Sequence, residues 1–312
     1  MRNLKLVEKA TPVLMRLVEE YLASCRARGL SPRTVKDAYA YPLHEVFLPF
    51  CQEEEASEPG QITKRLMDRL TTKLLDEGGR RGPLSRHTVA SYVRSINLFL
   101  SWAAKEGEMS EVKAQAPKLP KRLLDVLSRD EIQKLEDVAL NERDKLIVRV
   151  LADTGIRASE LTSLRVDDLR DRDRSTYLRV RGKGDKERLV PVPRLARRLR
   201  RYAERGCPRD VESERLFVGL RRRPGGGYEP LTRFGMAQVI RLLGEKAMPG
   251  KRVHPHLLRH SFATWSLTRG VNPVILAQIM GHNSLAMIND VYSHLSPQDS
   301  FDAIAKALGV AD

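Results

Sequence analysis

Apolar residues recur at helical spacing from the start of the chain. Between residues 12 and 28 they fall at Val13, Leu14, Leu17, Val18, Tyr21 and Leu22, the one-sided stripe of an amphipathic helix. Gly29 ends that stripe, and Ser31-Pro32 opens the next helix. The serine suits an N-cap, and the proline sits in a first turn that has no use for its missing N–H. Ser85-Arg86-His87-Thr88 opens a further run through Tyr92, Val93, Ile96, Leu98, Phe99, Leu100 and Trp102, closed by Gly107. This first part reads as a helical domain over residues 1–107.

The pattern then changes. Residues 108–123 hold Pro117 and Pro120 among Lys113, Lys118, Lys121 and Arg122, which predicts an extended basic linker. Beyond it, over 124–312, helical and strand periods mix. Ser128-Arg129-Asp130-Glu131 is a capping box, and residues 144–153 form a mostly apolar helix that stops at Gly155. Residues 177–181, the turn Gly182-Lys183-Gly184-Asp185-Lys186 and residues 188–192 read as strand, turn, strand. Helices resume from Pro193. Arg221-Arg222-Arg223-Pro224 and three glycines then predict a mobile basic loop. Near the C-terminus, Phe301, Ile304, Ala305 and Leu308 lie at helical spacing, a helix over about 297–309 that packs on its own domain or on a neighbouring chain. No repeat of solenoid length is present. The predicted fold is mainly α with a small antiparallel β-sheet: a helical domain followed by an α/β domain.

Composition adds a partner class. The 312 residues carry a formal net charge of +15, and 41% are hydrophobic, enough for packed cores and too much for a disordered basic tail. Residues 1–123 hold 21 Lys and Arg against 15 Asp and Glu, and the remainder 34 against 25. A basic excess in both halves favours a polyanion gripped from two sides. No uninterrupted apolar run reaches the ~18 residues of a membrane span, and residues 1–10 lack an apolar signal core. Cys25, Cys51 and Cys207 have no short-range pairing, which fits a reducing cytoplasm better than a disulfide framework.

Four segments bring together groups suited to a phosphate. Arg157 stands just past the Gly155 turn, Lys183 lies between two glycines, and His256 and Arg259 are three apart on one predicted helix face. Gly281-His282 and Tyr292 follow. Guanidinium groups offer paired donors to non-bridging phosphate oxygens and stabilise charge that develops in a transition state. A tyrosine hydroxyl can attack phosphorus and hold it covalently, and a lysine can protonate the departing sugar oxygen. The resulting ester keeps the bond energy, so rejoining needs neither ATP nor metal.

Singly, each residue has a plainer explanation. Arg157 could pair with Glu160 one turn on, Lys183 could be a solvated turn, and Tyr292 a core-edge tyrosine. His256 and His260, four apart, have the spacing of a zinc pair, yet no HExxH glutamate or cysteine pair accompanies them; His260 is better read as a capping or packing histidine. Arg86, Lys121, Arg122 and Arg221 to Arg223 are either solvated faces or contacts to a phosphate backbone, which fix position rather than sequence.

Together the segments resemble the tyrosine recombinase (phage integrase) family, including the Xer recombinases. The resemblance spans nearly the whole chain. Gly155-Ile-Arg157-Ala-Ser-Glu160-Leu looks like the family's first arginine box, and Gly182-Lys183-Gly184-Asp-Lys-Glu-Arg188 like its hairpin-lysine box. Pro255-His256-Leu-Leu-Arg259-His260-Ser-Phe-Ala-Thr264 looks like its second arginine box, Met280-Gly281-His282-Asn-Ser284 like the next, and Asn289-Asp-Val-Tyr292-Ser-His294 like the nucleophile box. The resemblance implies a SAM-like core-binding domain and a catalytic domain of the DNA breaking-rejoining fold. It implies Tyr292 as nucleophile, Arg157 and Arg259 as phosphate clamp, and Lys183 as general acid. His256 would assist proton transfer, His282 would hydrogen-bond the phosphate, and Glu160 and His260 would support them. It also implies a tetramer on double-stranded DNA at a specific core site, with an accessory or paralogous recombinase as a further partner, and no cofactor. Tyr292 follows His282 by ten residues, one more than the Xer pattern, which leans toward a mobile-element integrase. Two rivals remain: a catalytically silent DNA-binding regulator on the same fold, and a type IB topoisomerase-like relaxase.

Overall fold

The computed structural model describes residues 12–79, 82–119, 125–182, 186–207, 214–222 and 224–281. They belong to two compact units, Met1–Arg122 and Leu123–Asp312. The mainly helical expectation with a small antiparallel sheet is borne out.

In the first unit, α1 (Pro12–Ala27) buries Leu14, Leu17, Val18, Tyr21, Leu22 and Cys25. A second helical segment, α2, runs from residue 32 to 53 and widens into π-type turns at Val35–Ala40 and Leu43–Phe47. The side chain of Ser31 caps it by accepting from the Thr34 N–H at 3.1 Å. Two further helices are α3 (Lys64–Asp76) and α4 (Arg86–Lys105), the latter capped by Ser85. Their apolar faces meet in an aromatic centre where Tyr21 and Phe47 each approach Phe99 edge-on, with ring centroids 5.7 and 5.5 Å apart. Such aromatic pairs add about 0.5–1.5 kcal/mol beyond the area they bury.

Part of the expected linker packs on this unit. Asn97 of α4 donates to the Ala114 carbonyl at 3.0 Å and accepts from the Ala114 N–H at 2.8 Å. The Gln115 N–H donates to Asp68 at 3.0 Å. Ala114 is buried, and Met109 and Val112 pack against the same core. The prolines and lysines that suggested a linker lie largely beyond this strap.

The second unit is built around α6 (Glu142–Thr154), which buries Leu146, Ile147, Val148, Val150 and Leu151. Packed on it are α5 (Arg129–Asp137), α7 (Ala158–Ser163), α9 (Arg233–Ala247) and α10 (Pro255–Thr268). The Ser261 hydroxyl of α10 accepts from the Leu127 N–H at 2.8 Å, tying α10 to the segment that enters the unit. Arg129 adds a second tie: it stacks 4.0 Å over the Trp265 ring and pairs with Asp153 at 2.6 Å.

The sheet has order β1 (Leu169–Arg172), β2 (Ser175–Arg181), β3 (Glu187–Pro191), all antiparallel. In register, Leu178 faces Val190 and Val180 faces Arg188, so Leu178, Val180 and Val190 turn inward to the core. The strand β1 was not foreseen, because Asp173 and Arg174 make its two-residue turn with positive φ of 48° and 62° in place of the usual glycine. After α8 (Ala196–Arg201) comes a second hairpin, β4 (Val218–Arg222) and β5 (Tyr228–Pro230). It corrects the mobile-loop expectation. Arg221 and Arg222 are exposed positions of β4, and Gly225, Gly226 and Gly227, all at positive φ, form the turn. Finally α11 (Pro273–Met280) packs on α10 and on β3.

Asn97→Ala removes both bonds to Ala114. It should lower the stability of the first unit by about 1–3 kcal/mol in urea unfolding and speed proteolysis across residues 108–116. Unchanged cleavage there would contradict the strap.

Candidate active site

Three arginines from three elements converge on the carboxyl end of α11. Arg188 of β3 donates through Nε to the Ile279 carbonyl at 2.7 Å. Arg259 of α10 donates through Nη2 to the Met280 carbonyl at 2.8 Å. Arg157, just before α7, donates through Nη2 to the Gly281 carbonyl at 2.7 Å. The last carbonyls of a helix have no partner within the helix and carry partial negative charge, so cations are drawn to them. Arg259 also donates through Nη1 to the Gly155 carbonyl.

Glu160 sits beneath the arginines. It is 3% exposed and accepts four bonds. The Arg157 N–H and Nη1 reach it at 2.7 and 2.9 Å, and Arg188 Nη1 and Nη2 at 2.9 and 2.8 Å. Burial opposes its charge, yet the Arg188 and Arg157 contacts outweigh burial and hold the carboxyl below its ordinary value. The plainer Arg157–Glu160 pairing is therefore real, but it lies in a pocket wall rather than on a surface.

Among the described residues, Arg157, Arg188 and Arg259 gather around one buried carboxylate, Glu160. Burial, followed by the positive charge of Arg157 and with Arg188 adding to it, pushes Arg259 down to about 9, against the pull of Glu160. It still carries its proton at neutral pH. His256, exposed at the rim of α10, is lowered below its ordinary value by desolvation first, then by Arg259, Arg233 and Arg157. Its ring is thus biased to the neutral form, which can take up a proton.

Two glycines let these groups meet. Gly155 ends α6 at φ +61°, and a Cβ there would lie 2.3 Å from the Phe262 ring. Gly281 ends α11 at φ +67°, and a Cβ there would lie 2.8 Å from Arg188 Nη1 and 3.2 Å from Arg157 Nη1. Both positions need a left-handed backbone and the absence of a side chain.

Of the residues singled out from sequence, the structure brings Arg157, Glu160 and Arg259 together, with His256 at the edge. His260 lies on α10, partly buried. Lys183, His282 and Tyr292 lie outside the described residues, as do Lys121, Arg122 and Arg223. Their described neighbours flank the pocket. A Cβ on Gly182 would lie 3.7 Å from Arg188 and 3.8 Å from Glu160, and Gly281 immediately precedes His282. Arg86 is exposed at the first position of α4 in the other unit. Sequence reasoning missed Arg188. The signal was present: it shares strand parity with Val190 and Val192, while Leu189, its apolar neighbour, points outward and is 39% exposed.

Comparison with known proteins gives the family. The chain matches the phage integrase family over residues 125–299. It is 33% identical over 298 residues to the tyrosine recombinase XerA of Pyrococcus horikoshii, covering 93% of each chain. Its fold is similar to that of XerH site-specific recombinase bound to palindromic difH substrate in a post-cleavage complex, with TM-score 0.70, 20% identity and 92% and 83% of the two chains covered. It is similar also to a lambda integrase tetramer bound to a Holliday junction, with TM-score 0.63, 16% identity and 87% and 77% covered. The chain belongs to the phage integrase family. It is a tyrosine recombinase, one of the enzymes that cleave and rejoin DNA.

Gly155→Ala should destabilise the second unit by about 2 kcal/mol or more, a left-handed alanine alone costing about 1–2. Gly270→Ala is the control, since Gly270 also has positive φ but open space around it. Equal losses in urea unfolding would show that the Phe262 contact is unimportant.

Proposed function

We propose that the pocket of Arg157 and Arg259 holds the scissile phosphate of a DNA duplex while Tyr292 attacks it. The observation that carries this is the charge arrangement: three guanidinium groups fixed on one helix end, with Glu160 the one buried carboxylate among the described residues to balance them. A phosphodiester supplies the missing negative charge. Its transition state adds more, so the clamp stabilises that state most.

The steps balance without metal or ATP. The Tyr292 oxygen bonds to phosphorus as its proton leaves to a neighbouring base, a role that suits the neutral imidazole of His256. The bond from phosphorus to the 5′ oxygen breaks, and Lys183 protonates that oxygen. A 3′-phosphotyrosyl link and a free 5′-hydroxyl result. Attack by the 5′-hydroxyl of another strand reverses the sequence and seals the exchanged DNA. His282 hydrogen-bonds the phosphate. Glu160 orients Arg157, and His260 supports α10.

The first unit, with Arg86 exposed, closes on the duplex. Lys121 and Arg122, and the cluster Arg221 to Arg223, meet the phosphate backbone. Specific recognition of a core site then rests on base edges and DNA shape. Strand exchange requires four protomers, an arrangement named for the lambda integrase neighbour, with an accessory or paralogous recombinase as a further partner. The protein acts in the cytoplasm, where its three cysteines without short-range pairing fit a reducing compartment.

A nicked DNA substrate that traps the covalent adduct, run on a denaturing gel, tests the central step. Tyr292→Phe should form no adduct while binding DNA as the unaltered protein does. Adduct at the unaltered level would sink the assignment, and no adduct from the unaltered protein would favour the silent regulator. Duplex affinity should also fall steeply with salt, with a log–log slope of about −0.9 per phosphate neutralised. A flat dependence would contradict a clamp on the backbone.

A further inference from the structure

We propose that Arg188 is a positioning residue: by engaging Glu160 and the end of α11 together, it sets where Arg157 and Arg259 present their guanidinium groups. This rests on the assignment of the pocket as the phosphate site.

Arg188 occupies a core-facing strand position that the flanking pattern reserves for aliphatic residues. It lies opposite Val180 and on the face of Val190. Its side chain is 14% exposed. Burying a guanidinium is costly unless its donors are met. Nη1 and Nη2 meet the two oxygens of Glu160, and Nε meets the Ile279 carbonyl. Gly281 packs against its planar head. Three of its five N–H donors are thus used to tie Glu160 to the end of α11.

Two dependencies follow. Among the described residues, the groups that face Glu160 are Arg157 from the turn before α7, Arg188 from β3 and, further off, Arg259 from α10. Arg188 supplies two of the four bonds that keep a buried carboxylate ionised. Without it, burial raises the carboxyl, and a protonated Glu160 gives up its hold on Arg157. The Ile279 carbonyl also loses its partner. The last turn of α11 is then released, and with it the Met280 and Gly281 carbonyls that orient Arg259 and Arg157.

The neighbouring strand provides an internal comparison. Arg181 of β2 pairs with Asp168, which is 1% exposed, at 3.1 Å. That pair holds β2 through a buried carboxylate other than Glu160, and Arg181 also pairs with Glu187.

The test is the rate of covalent attachment to nicked DNA at saturating full-length protein, measured from pH 5 to 8, for Arg188→Met, Arg188→Lys and Arg181→Met. Arg188→Met should bind DNA within about threefold of the unaltered protein, because affinity sums over many phosphates. Its attachment rate at pH 7 should fall roughly 100-fold, the cost of a misplaced reacting group. The acidic limb of its rate profile should move to higher pH, since Glu160 now protonates sooner as pH falls. Arg188→Lys keeps a charge near Glu160 but cannot span to Ile279. It should return the acidic limb toward its original place and only part of the rate. Arg181→Met should leave the limb unmoved. A rate loss for Arg188→Met that is equal at every pH, or no loss, overturns the inference alone. If Arg188→Met does not fold, Arg188→Lys decides, and a full rate in it overturns the inference. Unaltered protein that forms no adduct overturns the proposed function and this inference with it.

Discussion

The end of one short helix organises the site. The Ile279, Met280 and Gly281 carbonyls of α11 are orphaned by the helix, and each is taken by an arginine from elsewhere in the chain. Three guanidinium groups would otherwise repel one another across the same small space. The carbonyl ends offer partial negative charge without adding a titratable group, and Glu160 beneath supplies a full negative charge. The arrangement leaves a net positive pocket whose geometry is set before any anion arrives. That is the condition for electrostatic stabilisation that needs no reorganisation during reaction.

Much of the second unit serves that convergence. The apolar helix α6 forms the middle of the core and ends in Gly155, whose left-handed turn releases a carbonyl toward Arg259. Capping turns Arg157 into the entry of α7. The β2–β3 hairpin is held by carboxylates on both strands, Asp168 on Arg181 and Glu160 on Arg188. α10 is fixed on three sides, by Ser261, by Arg129 over Trp265 and by the core beneath Leu258. The cost is visible in Arg259, whose affinity for its proton is lowered by burial and by its neighbours. A bound phosphate would relieve that repulsion, so binding and alignment favour each other.

Local chemistry made a large part of this legible. Helical stripes, serine N-caps and terminating glycines placed α1, α4, α5 and α6 close to where they stand, since these signals depend only on neighbours in sequence. Arg157, Glu160, His256 and Arg259 could be singled out because their spacing is a property of one turn or one helix. β1 and the β4–β5 hairpin escaped for a local reason: the first turn lacks glycine, and the second hides three glycines behind an arginine run that reads as loop. The strap at Ala114 escaped because side chains distant in sequence, Asn97 and Asp68, hold an otherwise irregular segment.

Arg188 marks the boundary between the two kinds of information. The amino-acid order alone established a basic, mainly helical, two-part chain with a constellation suited to phosphate chemistry, because period, capping and charge are local or additive quantities. That Arg188 belongs to this constellation, and that Arg157, Arg188 and Arg259 share one helix end, was decided by folding. These residues are separated by tens of positions, and the carbonyls they seek are backbone atoms common to every residue. Only the three-dimensional packing of α11 against β3 and α10 distinguishes those three carbonyls from the rest.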